Sequence, residues 1–210
     1  MNKYIQYGCG DSAPAEWLNF DASPTLKIQK TPILGFMLKR FLNKTFHKNV
    51  KYGNIVKNFP VKNNSCNGIY CSHVLEHLSY EDCIKALKNT YGILKPGGIF
   101  RLVMPDFKNL VNVYLNKKES GDRSASTYFM DVSYMATKSR PKGFKAIIES
   151  IFGNTKHLWL WDKDATIFEL EKIGFKNIRE CEFNDSTDRM FQLVEDCERF
   201  QTAVALEMTK

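Results

Sequence analysis

The chain opens on Tyr4-Ile5-Gln6-Tyr7-Gly8-Cys9-Gly10, and Trp17-Leu18-Asn19-Phe20-Asp21 follows closely. Two short apolar segments separated by a glycine turn read as neighbouring strands, the second ending in a carboxylate. Glycines at 8 and 10 permit positive φ and let another group approach the main chain with no Cβ between. A carboxylate closing the next strand can accept both hydroxyls of a ribose, as in nucleoside-binding α/β sheets. A pyrophosphate site is not spelled out. Position 13 is Ala13 and Pro14 follows it, so the third glycine of Gly-x-Gly-x-x-Gly is missing, and no Gly-Lys-Ser/Thr occurs. The pattern fits a nucleoside without phosphates better than NAD or ATP.

Further on, apolar runs and stop signals alternate. A helix is predicted over Pro32–Phe46, with Ile33, Leu34, Met37, Leu38, Phe41 and Leu42 on one stripe. Val50–Ile55 reads as a third strand and Gly68–Ser72 as a fourth. Ser79 can cap a helix over Tyr80–Leu94, with Glu81 and Asp82 in its first turn. Lys95-Pro96-Gly97-Gly98 ends that helix, and Ile99–Met104 reads as a strand halted by Pro105. A further helix is predicted over Lys163–Ile173 with Gly174 closing it. Strands over Phe175–Phe183 and Phe200–Met208 complete the series. Strands alternating with helices predict an α/β fold, a mostly parallel sheet with helices on both faces. At 210 residues the chain makes one domain, 1–210. Residues 107–156 break the rhythm: one helix over Phe107–Lys118, a polar stretch, then an uneven tail. They read as an inserted lid or substrate-binding segment.

The six cysteines, at 9, 66, 71, 83, 181 and 197, show no Cys-x-x-Cys pair and no Cys/His ligand spacing. No disulfide and no metal site is expected from them. No run of about 18 apolar residues occurs, so no membrane span is expected. With Met1-Asn2-Lys3 leading straight into a strand, a cytoplasmic location is the expectation. The net charge is +7, and no Asp or Glu lies between Ala22 and Leu75, where nine basic residues from Lys27 to Lys62 fall. Such a block attracts an anionic partner or forms a solvated face.

Five features stand in order: Gly8-Cys9-Gly10, Asp21, Gly53-Asn54-Ile55, Ser72-His73-Val74-Leu75-Glu76-His77-Leu78, and Leu94-Lys95-Pro96-Gly97-Gly98. Together they resemble the class I S-adenosylmethionine-dependent methyltransferases. More narrowly, they resemble a small bacterial branch with Gly-Cys-Gly, Val-Leu-Glu-His-Leu and Leu-Lys-Pro-Gly-Gly. The resemblance implies a Rossmann-like, seven-stranded sheet whose last strand is antiparallel, and S-adenosylmethionine as cofactor. It also implies that Tyr7, Gly8, Cys9 and Gly10 lie against the methionine part, Asp21 holds the ribose hydroxyls, Asn54 and Ile55 flank the adenine, and Ser72 and His73 face the crevice. Relatives often carry an acid where Asn54 stands; an amide offers both a donor and an acceptor. Glu76, His77 and Leu78 read as structural, closing the strand–helix junction.

Methyl transfer from a sulfonium needs orientation and exclusion of water, and a general base only when the acceptor is a hydroxyl or a protonated amine. His157, His73 and Asp106 are the candidate catalytic residues. The Asn/Asp-Pro-Pro-Tyr/Phe motif of many base and glutamine methyltransferases is absent after the fourth strand. The chain's resemblance to small enzymes of this class implies an acceptor that is a small molecule, sugar-like or anionic, such as a precursor of surface polysaccharide. The aromatics Tyr128, Phe129, Tyr134, Phe144, Trp159 and Trp161 could line its pocket. Two rival readings stay open: an RNA or protein methyltransferase, suggested by the acid-free block, and a non-catalytic binding subunit, suggested by the short segment between Gly10 and Trp17. A dehydrogenase is disfavoured by the missing glycine and by the lack of Tyr-x-x-x-Lys.

Overall fold

The computed structural model describes residues 3–31, 45–57, 59–139 and 156–210. Most of the helix expected over Pro32–Phe46 lies outside them, as does Phe144. Seven strands form one sheet in the order β3-β2-β1-β4-β5-β7-β6. These are β1 (Tyr4–Tyr7), β2 (Leu18–Asp21), β3 (Lys51–Tyr52), β4 (Cys66–Ser72), β5 (Leu94–Pro105), β6 (Lys176–Glu180) and β7 (Ala203–Thr209). Strands β1 to β5 pair in parallel, while β7 runs antiparallel to both β5 and β6. This is the expected mixed sheet of the Rossmann-like methyltransferase fold. Its carboxyl ends share one edge, and the strand order reverses between β1 and β4, where ligands of open α/β sheets bind.

Period-two alternation separates two apolar layers. Ile69 and Cys71 of β4, with Phe100, Leu102 and Met104 of β5, join one cluster. It is closed by Cys83, Ala86 and Leu87 of α2 (Tyr80–Ile93) and by Leu170 of α5 (Lys163–Ile173). Tyr70 and Val103 face the other way, onto Trp17, Phe191 and Val194. Ser79 caps α2 by accepting from the Asp82 amide, as its position before the helix implied.

Several boundaries differ from the sequence reading. The third strand is only two residues, because Asn54 Oδ1 accepts from the Val56 amide and folds the chain into a turn. A helix not anticipated, α1 (Pro24–Lys30), starts where the Ser23 hydroxyl accepts from the Thr25 amide. Strand β5 begins at Leu94, so Lys95–Gly98 forms an irregularity in its pairing with β4. Phe200 ends a short helix, α6 (Cys197–Phe200), and β7 starts at Ala203. Strand β6 is shorter than Phe175–Phe183, with its register broken near Asn177, which takes φ 52°. Cys66, Cys71, Cys83, Cys181 and Cys197 are free thiols.

Arg101, on strand β5 between β4 and β7, is fully buried. Its Nη1 donates to Asp185 Oδ1 (2.9 Å) and Glu207 Oε2 (2.8 Å), its Nη2 to the Glu182 carbonyl (2.9 Å), and its Nε pairs with Glu195. Burial alone would raise the Asp185 and Glu207 carboxyls, but hydrogen bonds from Arg179 and Arg101, and at Glu207 first of all from the Ser186 hydroxyl, outweigh it and hold both below their usual range. At Glu195 burial wins and the shift is upward. The pairs thus bind β7 and the 182–195 segment to β5. Removing the cation leaves Glu195 without its counter-charge and Asp185 and Glu207 with Arg179 alone, so Arg101→Met is expected to cost about 3–5 kcal/mol in urea denaturation at neutral pH. The stabilisation from Asp185 and Glu207 is complete once unfolded carboxylates are ionised, above about pH 4–5, and is lost as pH falls toward the folded-state values. The variant should show a flatter loss of stability on acidification.

Candidate functional site

The carboxyl edge of the sheet collects the residues singled out in the sequence. Gly8 and Gly10 adopt φ 67° and 57°, in the left-handed region. A Cβ on Gly8 would stand 2.2 Å from Val74 Cγ2. The glycine turn after β1 is therefore pressed against the turn after β4, and position 8 is closed to any side chain. Tyr7 points into the core, its hydroxyl 3.1 Å from Thr90 Oγ1, so only its backbone reaches this edge. Cys9 packs with Leu26, Phe46 and Val50.

Asp21 Oδ2 accepts from the Gly10 amide (3.3 Å) and Oδ1 from the Ser23 amide (2.7 Å). Each oxygen keeps a further acceptor position, since an ionised carboxylate has about four. The short segment from Gly10 to Trp17 is held without a helix. Buried Gln6 donates to the Ser12 carbonyl and to Asn19 Oδ1, and Asn19 donates to the Pro14 and Trp17 carbonyls. Beyond β3, Asn54 spends its oxygen on the Val56 amide, leaving its Nδ2 as the outward donor. Ile55 is buried, and its carbonyl accepts from Asn89 Nδ2.

After Ser72, His73 turns the chain with φ 53°, uncommon for a residue bearing a Cβ and worth about 1–3 kcal/mol of strain. Its Nε2 donates to the Arg199 carbonyl (3.0 Å), while Nδ1 faces Glu76 Oε1 at 3.4 Å. Glu76, 1% exposed, has no hydrogen-bond partner on either carboxylate oxygen. His77 donates from Nδ1 to the Lys156 carbonyl (2.9 Å) and turns Nε2 toward the same Oε1, 4.0 Å away. His157 lies against the ring of His77, with centroids 5.0 Å apart, and that of Tyr134 at 5.2 Å. Burial lowers the His157 imidazole below its usual range; His77 and His73 push the same way, and Glu76 and the Ser133 carbonyl oppose them.

The return of the 107–156 segment is fixed to this edge. The Leu158 and Trp159 amides donate to the Glu76 carbonyl (2.7 and 3.3 Å). The Phe107 amide donates to the Trp161 carbonyl (2.9 Å), beside a bridge between Asp106 and Trp161. Asp106 itself caps α3 (Phe107–Glu119) by accepting from the Lys108 amide. It lines an open cleft of about 440 Å³ with Lys163, Glu180 and Phe183, none of them glycine-turn residues. Of the sequence-predicted residues, His73 and His157 are thus brought to one carboxylate, and Asp106 is not. Trp161 is buried, whereas Tyr128, Tyr134 and Trp159 are exposed. Phe129 packs on Tyr114. Sequence reasoning missed Glu76 as the centre of this group. The signal was there in His73-x-x-Glu76-His77, an acid between two histidines on a single turn.

Comparison with known proteins meets this geometry directly. Residues 5–102 match the family model described as a methyltransferase domain. This match and the fold together support a class I S-adenosylmethionine-dependent methyltransferase. No curated protein matches the sequence. Among solved structures, one similar fold is a SAM-dependent methyltransferase from Archaeoglobus fulgidus, with TM-score 0.51, 15% identity, and coverage of 100% of this chain and 86% of that one. Another is phosphoethanolamine N-methyltransferase 2 from Haemonchus contortus, solved with phosphomonomethylethanolamine and S-adenosylhomocysteine. Its TM-score is 0.50 at 10% identity, and the match covers 100% of this chain and 48% of that one. The cofactor is S-adenosylmethionine, and the cradle at Gly8 and Gly10, with acceptor positions left on Asp21, fits it.

Gly8→Ala is expected to add about 1–2 kcal/mol of backbone strain and to displace Val74, so S-adenosylhomocysteine affinity should drop at least about tenfold in calorimetric titration. Adding Val74→Ala relieves the clash and not the strain, so the double variant should recover only part of the loss.

Proposed function

We propose that this methyltransferase acts on a small-molecule acceptor, sugar-like or anionic, of the kind found in surface-polysaccharide precursors. Bound S-adenosylmethionine supplies a methyl group already activated on a sulfonium. The chain's own work is to hold that molecule, align the acceptor and keep water out. In this reading the backbone of Tyr7 to Gly10 lies along the methionine part, Asp21 accepts from the ribose hydroxyls, Asn54 and Ile55 border the adenine, and Ser72 and His73 border the sulfonium.

The observation that carries the reading is the docking of Leu158 and Trp159 on the Glu76 carbonyl, one turn from the Val74–Gly8 contact. It draws the 107–156 segment toward the cofactor edge and supports its role as a cover for the acceptor. Among the described residues, His157, Tyr134 and Trp159 stand on the side of the cover that meets this edge, a compact aromatic group suited to a small ligand. Of the three candidate catalytic residues, Asp106 is occupied in capping α3 and His73 is tied to the Arg199 carbonyl. His157 is the one we assign to the acceptor's attacking atom.

Two measurements test this. Asp21→Asn removes one acceptor oxygen and the charge, and should weaken S-adenosylhomocysteine binding at least about tenfold, as expected for charge-assisted hydrogen bonds worth about 1.5–3 kcal/mol. Unchanged affinity would remove Asp21 from the ribose site. In turnover assays against a panel of sugar and anionic acceptors, His157→Ala should lower kcat by about 10²-fold or more with cofactor affinity within a factor of about two. Methylation of RNA or protein in preference to that panel would instead favour a macromolecular acceptor.

A further inference from the structure

The surroundings of Glu76 pose a problem of charge that no Lys or Arg among the described residues resolves. Its carboxylate is 1% exposed and neither oxygen receives a hydrogen bond. An ionised carboxylate in that position is strongly disfavoured unless a cation stands beside it. No Lys or Arg among the described residues forms an ion pair with it; the neighbours within 4.0 Å are histidines.

Those histidines are oriented in a telling way. A carbonyl can only accept, so His73 must carry a proton on Nε2, facing Arg199, and His77 on Nδ1, facing Lys156. In the neutral rings, His73 Nδ1 and His77 Nε2 then present lone pairs, and both aim at Glu76 Oε1. Three electron-rich atoms converging in a partly shielded space call for a proton or a metal cation between them. His157 closes the group: one ligand atom each from Glu76, His77 and His157 lie within 4.8 Å of one another. His157 Nδ1 is also shielded from solvent and has no hydrogen-bond partner.

We propose that Glu76, His77 and His157 bind a divalent transition-metal ion, zinc being the best match, with His73 flanking the site. Two imidazoles and one carboxylate form a ligand set that zinc takes with an open position for water or substrate, and with the ion bound His157 would serve the acceptor through that open position and not as a free base. The carbonyl of Lys156 fixes the His77 tautomer, as the outer partners of metal-ligating histidines do. Zinc bonds of about 2.0–2.1 Å set ligand atoms roughly 3.3 Å apart. The ion would therefore draw these side chains inward by about an ångström. Because one ligand comes from Glu76, beside the Val74–Gly8 contact, and another from the returning segment at His157, the ion would join the cofactor edge to its cover. The spacing of the cysteines gave no sign of such a site, since its ligands are His and Glu from two distant parts of the chain.

The proposal is independent of turnover. Full-length protein stripped with EDTA should take up one equivalent of Zn²⁺ in calorimetric titration, with Kd at or below about 1 μM. Co²⁺ should give visible absorption bands of a low-symmetry nitrogen–oxygen site in the unmodified chain, which does not depend on any variant folding. His77→Gln should weaken Zn²⁺ binding at least about tenfold while S-adenosylhomocysteine affinity stays within about twofold, which also reports that the variant is folded. Failure of the unmodified chain to bind Zn²⁺ or Co²⁺ would overturn the proposal and leave protonated histidines as the counter-charge. Undiminished Zn²⁺ binding in both His77→Gln and Glu76→Gln would overturn it too, because the ion would then sit elsewhere, for instance on the exposed Cys197. Loss of S-adenosylhomocysteine binding in the unmodified chain would count against the methyltransferase reading and not against the metal.

Discussion

The space where a side chain of residue 8 would stand is filled by Val74 Cγ2, and the geometry of the carboxyl edge depends on that contact. It presses the turn after β1 onto the turn after β4 across the position where the strand order reverses. Gly10 then falls where its amide meets Asp21, and the chain beyond Val74 is directed so that Glu76 is buried beneath three histidines. The cofactor edge and the polar group beside it are in this sense two sides of a single piece of packing. A rearrangement at position 8 reaches Glu76 through two covalent neighbours of Val74, with no longer pathway needed.

Electrostatics are handled in two contrasting ways within the same sheet. Under β5, Arg101 gives the carboxylates of Asp185, Glu195 and Glu207 a permanent counter-charge, and the group serves cohesion. At Glu76 the nearby groups are imidazoles, whose charge is conditional on what they bind. A buried acid ringed by conditional partners is expensive as architecture, and such arrangements concentrate where chemistry or binding is done.

Much of the sheet was legible in the sequence because its signals are local. Two glycines between apolar strands, the Ser79 cap and the Pro96-Gly97-Gly98 stop each act within a few residues of where they are written. What escaped was of two kinds. Helix α1 buries only Leu26, so no apolar stripe marks it. Strand ends at β3 and β6 were overestimated because side-chain turns at Asn54 and a left-handed Asn177 override apolar content. The Glu76 group was half visible: His73 and His77 share its turn, but His157 arrives from the far side of an insert, and no periodicity relates the two. Reading Glu76 as a junction residue was reasonable from spacing and incomplete once that third imidazole is in place.

The insert leaves the sheet at Phe107 and rejoins it at Trp161, and those two residues are hydrogen-bonded to each other. A loop whose ends are tied by its own backbone adds little to the closure entropy of the fold when it lengthens, since that cost grows only with the logarithm of loop size. Descendants of such a chain can exchange everything between the two anchor points, and with it the shape offered to a new acceptor, while the scaffold that handles the methyl donor stays as it was.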